Sequence, residues 1–66
     1  MAELGTVKWY NADKGYGFIT RDTGEDVFVH HSQLARGVTT LNELDRVEFD
    51  VIEGPKGLQA ERVTRV

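Results

Sequence analysis

The sequence predicts an all-β fold, a small five-stranded antiparallel Greek-key barrel, and three observations carry that reading. Apolar residues nowhere recur at i, i+3 and i+4 beside capping residues, so no helix is expected. Five short runs rich in Val, Ile, Phe, Tyr and Thr alternate with clusters of Gly, Asn and Asp, the pattern of strands and turns. The chain has 66 residues, enough for one domain and no more. A five-stranded sheet of this size hides both edges by curling shut.

The first strand is expected over about residues 4–10, followed by a turn at 11–14. The second covers about 15–20, and the tight connection 22–25 contains Gly24, which tolerates positive φ. The third strand covers about 26–30. A longer connection over 32–44 follows, with Ser32 a candidate cap for one short turn over Gln33 and Leu34. The fourth strand is placed at about 46–53. Residues 54–57 suit a β-turn, with Pro55 supplying its fixed φ, and the fifth strand runs over about 58–64.

Composition narrows the function classes. There is no cysteine, which excludes disulfides and thiolate metal sites and fits a reducing cytosol. The opening residues form no basic-then-apolar leader, so no secretory signal is expected. No apolar run approaches the ~20 residues that span a bilayer. The formal net charge is −3, which weighs against a polyanionic partner. Six of the eleven acidic residues, however, lie after residue 42: Glu43, Asp45, Glu48, Asp50, Glu53 and Glu61. If they gather on one side, the other side need not repel phosphate.

Side chains alternate faces along a strand. Tyr16, Phe18 and Thr20 therefore share one face of the second strand, opposite Ile19. Asp26, Phe28 and His30 share one face of the third, opposite Val27 and Val29. The compact aliphatics suit a barrel interior. The outer face then carries four stackable rings, an apolar patch that calls for a partner. The reversed assignment would expose Ile19, Val27 and Val29 and bury Asp26, at the cost of an unpaired buried charge. Base stacking is worth ~1–3 kcal/mol per ring and suits unpaired strands of any sequence. Lys8, Lys14 and Lys56 are candidates to align a phosphate backbone. Trp9 shares parity with Val7, which belongs inside, so an outward Trp9 requires a bulge that the sequence does not reveal. Phe49, alternating with Val47 and Val51, is expected in the core.

The run Lys14-Gly15-Tyr16-Gly17-Phe18-Ile19 resembles the first ribonucleoprotein motif, and Val27-Phe28-Val29-His30-His31 the second. With Lys8-Trp9-Tyr10-Asn11 upstream, the chain resembles the bacterial cold-shock proteins over its whole length. An RNA-recognition-motif domain shares the first motif but needs two helices that this sequence lacks. The resemblance implies a single cold-shock domain over 1–66, a barrel of the oligonucleotide/oligosaccharide-binding type. It implies a cytoplasmic, monomeric RNA chaperone that binds single-stranded RNA and DNA. Such a protein melts secondary structure and modulates transcription and translation, often after a temperature drop. The contact positions it implies are Lys8, Trp9, Asn11, Lys14, Tyr16, Phe18, Asp26, Phe28, His30, His31, Lys56 and Gln59. Trp9, Tyr16, Phe18 and Phe28 would stack, while Asn11, Asp26 and Gln59 would bond base edges.

Three positions depart from the family pattern. His31 stands where Phe is common, Val38 where an aromatic is usual, and Leu58 where Pro often follows glycine. The expectation is weaker binding than in a relative carrying both rings.

Rival chemistries find little footing. Adjacent strand residues point apart, so His30 and His31 are not expected to share a metal ion. Ser32 with His31 and a distant Asp suggests no triad, because no strained nucleophile turn is evident. No helix follows Gly15-Tyr16-Gly17, so it is no phosphate loop. No enzyme activity, cofactor, membrane contact or small-molecule substrate is expected. A peptide-binding barrel using the same rings is the competing reading, ahead of oligosaccharide binding.

Overall fold

The computed structural model describes residues 2–55 and 57–66. Five strands form a closed barrel: β1 (Glu3–Asn11), β2 (Tyr16–Arg21), β3 (Asp26–His30), β4 (Arg46–Gly54) and β5 (Gly57–Arg65). Around the barrel they run in the order β1-β2-β3-β5-β4. Neighbours are antiparallel except β3 and β5, which meet in parallel through Phe28 and Gln59. Geometry demands one such exception. Directions alternate around an antiparallel ring, and an odd number of strands cannot alternate all the way round. Strand positions agree with the expected ones to within a residue or two.

The interior is aliphatic, with one ring. Val7, Ile19, Val27, Val29, Val47, Phe49, Ala60 and Val63 are buried, and Leu41 enters from the long connection. Ile19, Val27 and Val29 have no exposed surface at all, which excludes the reversed face assignment. No charged or polar side chain among the described residues is buried, so the interior carries no unpaired polar cost.

Two irregularities make this packing possible. In β1, Val7 pairs with Ile19 and Trp9 with Phe18, leaving Lys8 as an extra residue. In β5, Glu61 pairs with Asp50 and Thr64 with Glu48, so two β5 residues oppose Phe49. Arg62 takes φ 52° there, which lets Ala60 and Val63 both face inward despite their spacing. The same bulge brings Arg62 Nη2 to 2.9 Å from Asp50 Oδ2 and 3.6 Å from Glu61. Two carboxylates that face each other across the pair thus share one cation.

The expected cap differs from the observed one. A 3-10 turn spans His31–Gln33, and its cap is His30, whose Nδ1 accepts the Ser32 backbone N–H at 3.2 Å. Imidazole with a free lone pair does the work assigned to the Ser32 hydroxyl. The long connection is tied down at its far end. Arg65 Nε donates to Asp45 Oδ2 at 2.9 Å, Arg65 Nη2 to the Thr40 carbonyl at 2.8 Å, and the Asn42 N–H to Asp45 Oδ2 at 2.9 Å. Leu44 then donates to the Val7 carbonyl and Val7 to the Asp45 carbonyl.

Leu44 pays for that position with φ 72° while 74% of it stays exposed. Left-handed backbone costs a branched L-residue ~1–2 kcal/mol, and asparagine adopts it more readily. Leu44→Asn should therefore stabilise the fold by up to ~1 kcal/mol in urea unfolding. A lower midpoint would show that the leucine contributes contacts that outweigh the strain.

Acid sensitivity follows from the same ties. The Asp45 carboxyl is held below its usual range by the Asn42 N–H and by Arg65. That of Asp22 is lowered by Arg46, which grips it at 2.8 and 3.0 Å. Groups whose folded value lies below the unfolded ~3.9 stabilise fully above that pH and lose the contribution as pH falls through the folded value. The melting temperature should thus drop below about pH 4. Asp22→Asn with Asp45→Asn should flatten that drop, and an unchanged acid limb would place its origin elsewhere.

Candidate functional site

The β1 bulge builds the outer face. Without the extra residue Lys8, Trp9 would follow Val7 inward. With it, Val7 stays buried, Tyr10 packs against the core, and Trp9 turns out with 37% of its surface exposed. Gly17, opposite Tyr10, makes the close approach possible. A Cβ there would overlap the Trp9 carbonyl oxygen and come within 2.7 Å of the Tyr10 Cα.

Trp9 then lies beside the rings of β2. Its centroid is 5.5 Å from Phe18 and 5.8 Å from Tyr16. Phe28 on β3 completes the set at 5.7 Å from Phe18 and 5.9 Å from Tyr16. The cross-strand register explains these distances, since Phe18 sits directly opposite Phe28 and next to Trp9. Two of the four contacts are edge-to-face, an arrangement worth ~0.5–1.5 kcal/mol per pair beyond burial. The rings therefore hold one another in place without a ligand, with Tyr16, Phe18 and Phe28 half-buried and Trp9 exposed.

Polar groups frame this cluster. Asp26 accepts from Lys8 Nζ at 2.9 Å and from the Thr20 hydroxyl at 3.0 Å. The Lys8 bond chiefly, then Thr20, keeps its carboxyl below the ordinary range, so it is an anionic acceptor fixed beside Phe18 and Phe28. Lys8, read as a free cation from sequence, is half of an ion pair. Asn11 shapes the following turn, its Oδ1 accepting the Lys14 N–H at 3.0 Å, and leaves its amide N–H groups available. Lys14 has no acidic partner within ion-pair distance among the described residues.

Shallow grooves mark the surface, and rings of the cluster help line two of them. Phe18, Asp26, Phe28 and Leu58 line one. Phe28, His30, Ser32, Gln33, Pro55 and Gln59 line the second. The third runs between the 12–15 turn and the long connection, past Tyr10, Lys14, His31 and Thr39. Gln59 is held against Gly54, where a Cβ would come within 2.9 Å of its Cγ.

Of the sequence-selected positions, Lys8, Trp9, Tyr16, Phe18, Asp26 and Phe28 form one patch, and His30 with Gln59 extends it. Asn11, Lys14 and His31 flank it. Lys56 lies outside the described residues. Leu58, Ser32, Gln33, Pro55 and Thr39 line grooves without having been selected. No local pattern marks them: the parallel meeting of β3 with β5 gathers Leu58, Ser32, Gln33 and Pro55, and the long connection brings Thr39 to the 12–15 turn.

Val38 is half-buried against the core. One expectation needs correction. His30 and His31 do not point apart, because the strand ends at His30, and their ring centroids are 4.3 Å apart. No third His, Cys, Asp or Glu joins them as a metal-holding group among the described residues.

A family model described as "'Cold-shock' DNA-binding domain" matches residues 3–66. The chain is 57% identical over 65 residues to the major cold shock protein of Micrococcus luteus, covering 96% of this chain and 97% of that one. It is 51% identical over 65 residues to the cold shock-like protein CspLB of Listeria monocytogenes, with coverage of 97% and 98%. Cold shock protein CspC of Bacillus subtilis is 52% identical over 64 residues, with coverage of 96% and 97%. Among solved structures, Drosophila Unr CSD456 superposes with a TM-score of 0.81 at 27% identity. That match covers 100% of this chain, which spans only 27% of the Unr fragment.

Exterior rings should separate binding from folding. Phe18→Ala and Phe28→Ala should each weaken oligonucleotide binding by ~1–3 kcal/mol. Each should cost folding less than the ~3–5 kcal/mol expected for the buried Phe49→Ala. Denaturant curves for the three variants beside binding titrations check this, and equal folding losses for all three would contradict the exterior assignment.

Proposed function

Because the chain belongs to the "cold-shock" DNA-binding domain family, we propose that its ring cluster binds single-stranded RNA and DNA by base stacking. The observation that supports this most is the outward set of Trp9, Tyr16, Phe18 and Phe28 on three adjacent strands. Every base has a π-face, so such a platform accepts most sequences. Duplex bases are already stacked and leave no face to offer, which selects unpaired strands. Asp26, Asn11 and Gln59 take base-edge hydrogen bonds, and Lys14 aligns the backbone. By capturing transiently open bases, the protein melts secondary structure and acts as an RNA chaperone, with effects on transcription and translation.

The acidic composition is compatible with this reading. Glu48, Asp50 and Glu61 lie on β4 and β5, whereas the four rings lie on β1, β2 and β3. Stacking supplies affinity that does not depend on net charge, and few phosphates need be neutralised. The chain acts as one domain and as a monomer, since a closed barrel offers no free strand edge for pairing. It works by binding rather than by catalysis. No helix among the described residues is long and apolar enough to cross a membrane, and the reading places the protein in the cytoplasm.

Titration with a short pyrimidine-rich oligonucleotide should quench Trp9 emission at micromolar concentration. Affinity should fall only modestly between ~50 and ~200 mM salt, since the slope scales with the phosphates neutralised. Unchanged emission together with no binding by a second method would contradict the proposal and favour a peptide ligand.

A further inference from the structure

Lys8, Asp26 and Thr20 meet beside the rings in an order that singles out one base. Lys8 Nζ donates to Asp26 Oδ2 at 2.9 Å, and the Thr20 hydroxyl donates to Oδ1 at 3.0 Å. Thr20 stands directly opposite Asp26 in the register of β2 with β3, so the carboxylate is gripped at both oxygens. An ionised carboxylate accepts through about four lone pairs. Among the described residues each oxygen takes one side-chain donor, which leaves a lone pair open on each. Lys8 Nζ uses one N–H on Oδ2 and keeps the others. Taken from Nζ through Oδ2 to Oδ1, the pair offers a donor and then two acceptors. Asp26 also lines a groove whose other described walls are Phe18, Phe28 and Leu58. It is the polar member of that set. A base stacked there meets the Asp26 edge beside apolar surface, where water competes less for the bond.

We propose that this groove is a guanine-selective subsite for one unpaired base, read by Asp26 and Lys8 and held in shape by Thr20. The proposal rests on the single-strand reading above and adds a base preference at one place on an otherwise tolerant platform. The pairing edge of guanine presents O6, N1–H and N2–H, an acceptor followed by two donors. That is the complement of Nζ, Oδ2 and Oδ1. Thymine and uracil present acceptor, donor, acceptor, and their O2 would face Oδ1 with no proton between. Cytosine would set N3 and O2 against the two carboxylate oxygens. Adenine brings its amino group alone, with no second donor beside it. The bonds from Lys8 and Thr20 hold the Asp26 carboxyl below its ordinary range, so it is a pure acceptor at neutral pH. Thr20 touches no base in this arrangement and acts as a positioning residue. The terminal torsion of an aspartate is soft, and without the hydroxyl Oδ1 loses its tether and swings out of line.

The test titrates short oligothymidines, unsubstituted or with one central guanine or inosine, by Trp9 quenching at neutral pH. Inosine keeps O6 and N1–H and lacks only the N2 amino group. The parent, Asp26→Ala, Thr20→Val and Thr20→Ser are compared, with thermal melts confirming folding. The parent should bind the guanine strand about fivefold or more tightly than the unsubstituted one, the low end for a bidentate base contact. The inosine strand should fall between them. Asp26→Ala should abolish the preference. Thr20→Val should lower the guanine-to-thymine ratio by roughly twofold or more, and Thr20→Ser, which keeps the hydroxyl, should retain it. Equal parental affinity for all strands would overturn the subsite while leaving the single-strand reading intact. So would inosine matching guanine, since Oδ1 would then have no partner, or a guanine preference that survives Asp26→Ala. A ratio unchanged in Thr20→Val, or lost equally in Thr20→Ser, would overturn the positioning role of Thr20. No binding of any strand would overturn both readings.

Discussion

Trp9 and Val7 stand two residues apart in one strand, and the barrel needs them on opposite faces. Strict alternation forbids that, and the unpaired Lys8 resolves it. The rest of the outer face follows from this one insertion. Tyr10 rotates onto the core, Trp9 meets Phe18, and Gly17 is required where the displaced backbone crosses β2. Lys8, carried outward by the bulge, reaches Asp26 and fixes an anionic acceptor at the edge of the rings. The far side of Val7 is braced by Leu44 and Asp45, whose turn Arg65 holds. Leu44 adopts left-handed backbone in that turn, where its N–H donates to the Val7 carbonyl and helps hold β1 in register.

An apolar exterior on so small a domain has a cost, since it gives up burial that folding could have used. The edge contacts among the four rings recover part of it. The same contacts also keep the rings oriented before a ligand arrives, so little ordering entropy is spent on binding. Charge is managed in the same spirit. Glu3, Asp22, Asp50 and Asp45 are drawn into short ion pairs with Arg21, Arg46, Arg62 and Arg65, while Lys14 has no acidic partner within ion-pair distance among the described residues.

The barrel was legible because its signals are local and repeated: alternation, turn residues and the absence of helical spacing. The face assignment was legible too, since Ile19, Val27 and Val29 cannot be exposed without Asp26 being buried. What escaped depends on contacts distant in the chain. The bulge at Lys8 has no glycine or other local marker. Leu58, Ser32 and Pro55 join the site only because β3 meets β5. The His30–His31 pair looked divergent because strand alternation was carried one residue past the expected end of β3 at His30. Lys8 was legible as a residue of the site but not as an ion-pair partner.

The central claim is that bases lie on the rings of β1, β2 and β3. Intermolecular NOEs in a complex with a short single strand measure it directly. The account predicts contacts from base protons to ring protons of Trp9, Tyr16, Phe18 and Phe28, and none to the outer residues of β4. Base contacts concentrated on the β4–β5 surface, with the four ring systems unperturbed, would contradict it.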